Sequence, residues 1–201
     1  MTPRRASSSP RALAALLALA AGLSAGCASL PRQDVAAGPG ACREGSYRGR
    51  YAGAAAGAEA RHFRAQVRVC GESLVMEARG AVGGAGLVAA VRDGRALLLF
   101  PRERKAVEGP DTAAFWEKWT GAPLTGELLL VALSAAGEAP RQAGAWRFET
   151  TGDTGRLGFP EHVRGRAESG DTLELARTGE RAAAGGQRWP VVPASFERVA
   201  E

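Results

Sequence analysis

The sequence predicts an α+β fold in which a curved antiparallel sheet has a pair of helices on one face. Apolar and polar residues alternate along residues 62–70 and 73–79, which is the pattern of half-buried strands. An Asp93-Gly94 dipeptide separates two apolar runs, residues 86–91 and 95–100, and indicates a hairpin. A helical pair follows in the middle of the chain, and strand-like segments return after it.

The first 26 residues, 1–26, have the composition of a secretory signal. Three arginines precede an apolar run at residues 12–23, which is too short for a permanent transmembrane helix of about 20 residues. Small residues then lead directly to Cys27, as in the lipobox of bacterial lipoproteins. We therefore expect cleavage before Cys27 and lipidation of its thiol. The alternative is an ordinary signal peptide cut near Ala28, with Cys27 incidental.

Lipidation at Cys27 would hold the protein at a membrane, because each buried methylene contributes about 0.8 kcal/mol and two acyl chains already give stable anchoring. Ala28 stands where an Asp would retain a lipoprotein in the inner membrane. The expected location is therefore the periplasmic face of the outer membrane. Residues 27–44 are rich in Ala, Gly and Pro and are expected to form a flexible tether. Residues 45–201 are expected to form one folded domain.

The charge of the chain gives no indication of a nucleic-acid partner. The sequence has 26 basic residues, three of them in the signal segment, and 21 acidic ones, so the remaining chain has a net charge of about +2. Its basic residues are scattered rather than clustered. We also find no phosphate-binding loop that would indicate nucleotide use, and we expect no cofactor.

Cys42 and Cys70 remain after the signal is removed, and an even pair in an oxidising compartment is a candidate disulfide. Two free thiols are the alternative. A metal site is not expected, because only His62 and His162 could join the cysteines and no ligand spacing appears.

Residues 62–70 and 73–79 are joined by Gly71-Glu72 and form the first predicted hairpin, and a glycine-rich loop at residues 80–86 follows. The first helix is predicted to begin at a Pro110-Asp111 cap and to end at Gly121. The second is predicted to begin near Thr125 and to end at Gly137. The later strands are predicted at residues 145–151, 156–159, 161–168, 172–177 and, after the prolines, within 189–199.

The apolar faces of the first two strands and of the helices indicate an interior that is either a packed core or a ligand cavity. Abundant Ala and Gly at inward positions favour a cavity, because small side chains fill the space poorly. The residues expected to line it are Phe63, Val67, Val69, Leu74, Met76, Trp116, Trp119 and Leu128.

Three segments give the chain a resemblance to a known family. These are EKWTGAPLTGELLLVAL at residues 117–133, EARGAVGGAGLVAAV at residues 77–91, and P-x-x-F-E-R-V at residues 193–199. In these segments the chain resembles the outer-membrane lipoprotein receptor LolB, within the wider lipoprotein-carrier (LolA/LolB-like) family. The resemblance implies an incomplete, half-open β-barrel with a helical lid over an apolar cavity that holds acyl chains.

The same resemblance implies partners and a further site. The expected partners are acylated lipoproteins or lipid, delivered by a periplasmic lipoprotein carrier. In the family, a leucine on one loop helps to insert the cargo into the membrane. The matching loop here is residues 80–86, whose sizeable apolar residue is the smaller Val82.

Two other functions are weighed against a lipoprotein receptor. A structural or regulatory envelope lipoprotein of the same fold would have a fully packed interior and no transport activity. An enzyme is not expected, because the sequence has no Gly-x-Ser-x-Gly or His-Glu-x-x-His motif and His62 and His162 are far apart.

Overall fold

The computed structural model describes residues 42–55, 59–80, 85–134, 140–183 and 189–201. These residues form one eleven-stranded sheet and two helices. The strands are β1 Arg43–Ala52, β2 Arg61–Cys70, β3 Ser73–Gly80, β4 Ala85–Arg92, β5 Arg95–Phe100, β6 Lys105–Pro110, β7 Arg141–Ala143, β8 Trp146–Thr154, β9 Pro160–Ala167, β10 Thr172–Ala182 and β11 Glu197–Ala200, and the helices are α1 Ala113–Thr120 and α2 Gly126–Leu133. None of the described helices has the length and hydropathy needed to cross a membrane.

The strand order is β11-β6-β5-β4-β3-β2-β1-β10-β9-β8-β7, and every pair is antiparallel except β11 with β6. The chain meanders from β1 to β6, passes through both helices to the opposite edge at β7, and returns to pair β10 with β1. Within the described residues no strand pair closes the sheet between β11 and β7. The predicted α+β fold with a half-open, largely antiparallel barrel is therefore confirmed.

The two predicted hairpins have the turns that the sequence indicates. Gly71 has a φ of 59° between β2 and β3, where Val69 is paired with Leu74. Asp93 and Gly94 have φ values of 53° and 69° between β4 and β5, a conformation for which Gly and Asp are well suited.

The tether was expected to reach residue 44, but β1 already begins at Arg43. Glu44 is 4% exposed and accepts hydrogen bonds from Arg68 of β2 at 2.7 Å and from Arg181 of β10. Burial raises the pKa of the Glu44 carboxyl, but the hydrogen bonds and charges of the two arginines outweigh it and hold the pKa below its usual range. Glu44 belongs to the sheet because both neighbouring strands supply it with cations.

A disulfide joins Cys42 to Cys70 in the structure, with the two Cα atoms 4.3 Å apart. It lies beside the end of the β1–β2 ladder, where Arg43 is paired with Val69. The bond therefore fixes the start of β1 to the turn that ends β2.

The helices begin and end at recognisable caps, with two differences from the prediction. Thr112, not Asp111, is the N-cap of α1, and its side chain accepts from the Phe115 amide. Gly121, with a φ of 67°, ends α1 as predicted, and Thr125 caps α2. Helix α2 ends at Leu133 rather than Gly137, which lies outside the described residues.

Each helix packs on a different half of the concave sheet face. Phe115 and Trp116 of α1 lie against inward residues of β4, β5 and β6. The apolar side of α2 lies against Trp146, Phe148 and neighbouring core residues of β8–β10. A Cβ atom on Gly126 would lie 2.4 Å from Val91 Cγ2, so a glycine is needed where α2 begins. The two helices therefore span the sheet from one half to the other.

A third apolar cluster lies on the outer face of the sheet. Leu97 and Leu99 of β5, with alanines of β4 and β6, are covered by Trp189, Val192 and Phe196. Residues 189–196 do this without forming a strand, so the strand predicted within residues 189–199 is limited to β11.

The prediction of a strand at residues 156–159 is wrong. Strand β8 extends to Thr154, and a turn containing Gly158, with a φ of 75°, leads into β9 at Pro160. Left-handed backbone at Gly158 is incompatible with an extended strand.

Candidate functional site

A cavity of about 530 Å³ lies under the two helices and over the middle of the sheet. Its volume is typical of sites that bind small molecules, which occupy about 300–1,000 Å³. Apolar and aromatic side chains line most of it: Tyr47, Tyr51, Phe63, Ala65, Val67, Met76, Ala78, Leu87, Phe100, Trp116, Trp119, Ala122, Leu124, Leu129, Leu133, Leu173 and Leu175. The exposed residues Arg61, His62, Arg79 and Gly80 lie at its rim, so the cavity opens to the surface there.

Five of the eight residues predicted to line the cavity do so: Phe63, Val67, Met76, Trp116 and Trp119. The ring of Phe63 lies across the backbone of Gly49, where a Cβ atom would come within 2.2 Å of it. Trp119 lies at the edge of the lid, with Lys105 Nζ 4.6 Å and Lys118 Nζ 5.4 Å from its ring.

The other three predicted residues, Val69, Leu74 and Leu128, are buried in the core beside the cavity and do not line it. Val69 and Leu74 are paired next to the β2–β3 turn, at the closed end of the hairpin. On α2, Leu129 and Leu133 face the cavity, and Leu128 is rotated away from them by about 100° because an α-helix has 3.6 residues per turn.

The two tyrosines of the chain line the cavity with their rings while their hydroxyls bond elsewhere. Tyr51 Oη donates to Asp171 Oδ1 at 2.9 Å, and Tyr47 Oη donates to the Pro160 carbonyl at 3.4 Å. Because these polar atoms already have acceptors, the tyrosines present carbon surface to a ligand.

The surroundings of Tyr51 and Asp171 keep the phenol protonated and the carboxyl group ionised. Burial, followed by the hydrogen bond and charge of Asp171, raises the pKa of Tyr51 to about 12. Burial raises the pKa of Asp171, but hydrogen bonds from Ser169, Tyr51 and the Ala54 amide outweigh it and hold the pKa below its usual range. At neutral pH the pair is a phenol donating to a carboxylate.

Asp111 ties the two helices of the lid together. Its Oδ1 accepts from Trp116 Nε1 at 2.6 Å and from the Gly126 amide at 2.9 Å, and its Oδ2 accepts from the Glu127 amide at 3.2 Å. The carboxylate therefore satisfies the first amides of α2, where negative charge is favourable. The same contact fixes the Trp116 ring over the cavity.

Arg61 joins the lid to the sheet at the rim. Its guanidinium donates to the carbonyls of Thr120 and Gly121, both at 2.9 Å, and lies 4.9 Å from the centre of the Tyr51 ring. Cationic donors at a helix C-terminus satisfy carbonyls that lack helical partners.

Sequence reasoning missed the contributions of distant strands to the cavity. Leu173 and Leu175 of β10, Leu87 of β4 and Phe100 of β5 reach the cavity through the curvature and register of the sheet. Alternation along β10 was a usable signal for Leu173 and Leu175, but it did not show which elements would face them.

Two predicted sites, Cys27 and Val82, lie outside the described residues. His62 and His162 are exposed on the sheet. Within the described part of the chain, His, Cys, Asp and Glu residues form no group suited to a metal ion.

The fold and the cavity define an open β-barrel protein with an apolar compartment under a helical lid. No protein-family model matches the sequence, and no curated protein matches it. An uncharacterised conserved protein from Thermus thermophilus has a similar structure, with 8% identity and a TM-score of 0.45, covering 81% of this chain and 91% of that one.

Two further solved structures are similar. A LolA superfamily protein from Nitrosomonas europaea has 10% identity and a TM-score of 0.47, covering 73% of this chain and 88% of that one. A candidate outer membrane lipoprotein-sorting protein domain from Vibrio parahaemolyticus has 8% identity and a TM-score of 0.48, covering 73% of this chain and 87% of that one. These similarities assign no ligand to this chain.

Proposed function

We propose that this chain is an outer-membrane lipoprotein that takes acyl chains of other lipoproteins into its cavity and transfers them to the membrane. The supporting observation is the cavity of about 530 Å³, which has almost entirely apolar walls and a rim at the surface. A structural or regulatory lipoprotein of this fold would need no such vacant interior. The hydroxyls of Tyr47 and Tyr51 and the indole N–H of Trp116 are bonded to protein acceptors, and the Trp119 indole N–H is a buried polar atom of the lining without an acceptor among the described residues.

The energetics of this function follow from the walls. Each methylene that leaves water for an apolar surface contributes about 0.8 kcal/mol, so about ten buried methylenes would contribute roughly 8 kcal/mol. A bilayer offers an acyl chain the same gain, so the transfer needs only a favourable final state and no nucleotide. The acyl chains occupy the cavity, and the polar part of the cargo stays outside the rim.

The attachment and delivery steps involve residues outside the described part of the chain. Lipidation of Cys27 would keep the cavity close to the receiving membrane, and Val82 would contact that membrane during insertion. The expected cargo is an acylated lipoprotein presented by a periplasmic carrier.

Uptake is tested with the full chain carrying Cys27→Ser, which removes its own acyl chains. A dansyl-labelled fatty acid is titrated, and energy transfer from Trp116 and Trp119, which line the cavity, reports binding. Ala78→Phe places a ring in the cavity, and the matched control Ala176→Phe places it on the outer face of β10.

We expect saturable binding that Ala78→Phe weakens at least about tenfold and Ala176→Phe leaves unchanged, since overfilling a site of fixed shape displaces its ligand. A diacylated lipoprotein should compete with the probe, and its unacylated Cys→Ser form should not. Absence of saturable binding, or equal effects of the two phenylalanines, would contradict the proposal.

A further inference from the structure

A row of arginines crosses the outer face of the sheet, on the side away from the cavity. Arg48 of β1 is directly opposite Arg64 of β2, and Arg64 is directly opposite Arg79 of β3. All three residues are exposed. Side chains at directly opposed positions are about 4.5–5.5 Å apart at Cβ, and like charges there destabilise a sheet. The row is therefore unfavourable for the fold at each position where no negative charge neutralises it.

Within the described chain, an acidic residue neutralises only Arg79, at one end of the row. Glu77 Oε1 accepts from Arg79 Nε at 2.9 Å and from Arg79 Nη2 at 2.7 Å. Arg48 and Arg64 have no hydrogen bond or ion pair with any residue that the structure describes.

In the neighbouring row, arginines form ion pairs with an acidic residue of the same sheet. Arg50 of β1 is 3.8 Å from Glu174 of β10, and Arg164 of β9 is 3.7 Å from the other oxygen of the same carboxylate. The two arginines of that row therefore share an acidic residue placed between them. No acidic residue takes that place between Arg48 and Arg64, whose strands are direct neighbours.

Two hollows on the outer face of the sheet adjoin the unpaired arginines. A hollow of about 270 Å³ is lined by Arg48, Arg64 and Arg79, and a second of about 420 Å³ adjoins Arg48 on its other side. The first hollow is completed by small or polar side chains, including Ser46, Gln66, Glu77 and Thr178.

We propose that Arg48 and Arg64 bind phosphate groups of anionic phospholipids, so that the outer face of β1–β3 docks on a membrane surface. The planar guanidinium fork matches phosphate oxygens in a bidentate manner, and two adjacent forks can hold one phosphate. Arg79 continues the row to the cavity rim, so docking brings the opening of the cavity to the level of the headgroups.

A lipid surface fits this patch better than an acidic protein does. Protein interfaces depend on aromatic or aliphatic anchors at a dry centre. The first hollow offers no large aliphatic side chain and only the buried Tyr47 at its floor. A phosphate surface requires only exposed cations, and each contributes to the attraction within about one Debye length.

The test uses the full chain carrying Cys27→Ser and cosedimentation with vesicles at low salt. Vesicles of phosphatidylcholine with phosphatidylglycerol are compared with vesicles of phosphatidylcholine alone. The double variant Arg48→Gln, Arg64→Gln is compared with Arg147→Gln, Arg166→Gln. The control removes the same charge from another directly opposed and exposed arginine pair, at the β8–β9 end of the same sheet face. That pair lines neither hollow, so the comparison tests whether the hollow, and not only the charge, is needed for binding.

We expect preferential binding to the anionic vesicles, with a loss of about thirty-fold in the Arg48, Arg64 variant and less than about threefold in the control. Equal binding to both kinds of vesicle, or equal losses in both variants, would overturn the proposal. Equal losses in both variants would show that the vesicles are attracted by the overall positive charge of the sheet face and not by Arg48 and Arg64 in particular. A partner protein that binds the patch while vesicles do not would also overturn it.

The same variant separates docking from acyl-chain uptake. Its affinity for the dansyl-labelled fatty acid should be unchanged, because Arg48 and Arg64 lie outside the cavity. Its unfolding midpoint should equal or exceed that of the unsubstituted chain, since a repulsion is removed. A lower midpoint would assign these arginines a structural role and contradict the proposal. The vesicle experiment can therefore fail or succeed whatever the result of the Ala78→Phe experiment.

Discussion

Replacing Asp111 by Ala tests whether one carboxylate holds the lid together. In the structure this side chain accepts the Trp116 indole N–H at 2.6 Å and the Gly126 and Glu127 amides at 2.9 and 3.2 Å. An interior donor left without an acceptor costs about 1–3 kcal/mol, and loss of a helix-capping acceptor costs about 1 kcal/mol. The free energy of unfolding should therefore fall by about 2–4 kcal/mol, or roughly 5–12 °C in midpoint for a domain of this size.

Urea unfolding followed by tryptophan fluorescence measures the change, because the Trp116 ring is buried beside the lost carboxylate. Asp111→Asn is the matched comparison: its amide oxygen can still accept the Trp116 proton, so the loss should be only about 1 kcal/mol. The dansyl-labelled fatty acid should also bind more weakly to Asp111→Ala, since the lid is no longer fixed. A loss below about 0.5 kcal/mol in Asp111→Ala would refute the assigned role.

Three further predictions follow from the fold. Burial raises the pKa of both tyrosines, that of Tyr51 to about 12, so a spectrophotometric titration should show no tyrosinate near pH 10 while the protein is folded. The stability that the neutral phenols contribute is complete below about pH 10 and is lost as the pH rises toward 12; ionisation of both tyrosines at pH 10 in the native state would disprove this. Replacing Cys42 and Cys70 together by Ser should lower stability by about 3–4 kcal/mol, because the bond spans a sequence separation of 28 residues, and an unchanged denaturation curve would count against this. Gly126→Ala should destabilise by about 1–2 kcal/mol despite the better helix propensity of Ala, as measured by thermal unfolding, because the added methyl group overlaps Val91; a stabilised variant would show that β4 yields there.

Local sequence patterns predicted the strands and turns that are determined mainly by residues close together in the sequence. The alternation along β2 and β3 follows from one buried and one exposed sheet face, and Asp93-Gly94 encodes its own turn. Strand β1 was missed because its inward positions alternate Gly45, Tyr47, Gly49 and Tyr51, and the glycines hide the apolar period. Strand β6 was missed because it is short and includes Lys105 and Glu108.

The sequence predicted that the fold contains a cavity, but it identified only some of the residues that line it. The inward faces of β2 and α1 gave Phe63, Val67 and Trp116 correctly. Which core residues border empty space depends on register and on the rotation of α2, so Leu128 was chosen where Leu129 faces the cavity. The unpaired arginines of the outer face became visible only when the strand register placed Arg48 opposite Arg64.

The apolar strip on the outer face of β5 depends on a segment that is synthesised after nearly all the rest of the sheet. Until Trp189, Val192 and Phe196 emerge and fold over it, Leu97 and Leu99 have no cover in the chain already made. An uncovered apolar strip on a sheet face favours self-association, so we expect a protease nick or a bulky fusion ahead of β11 to make the domain more prone to aggregate.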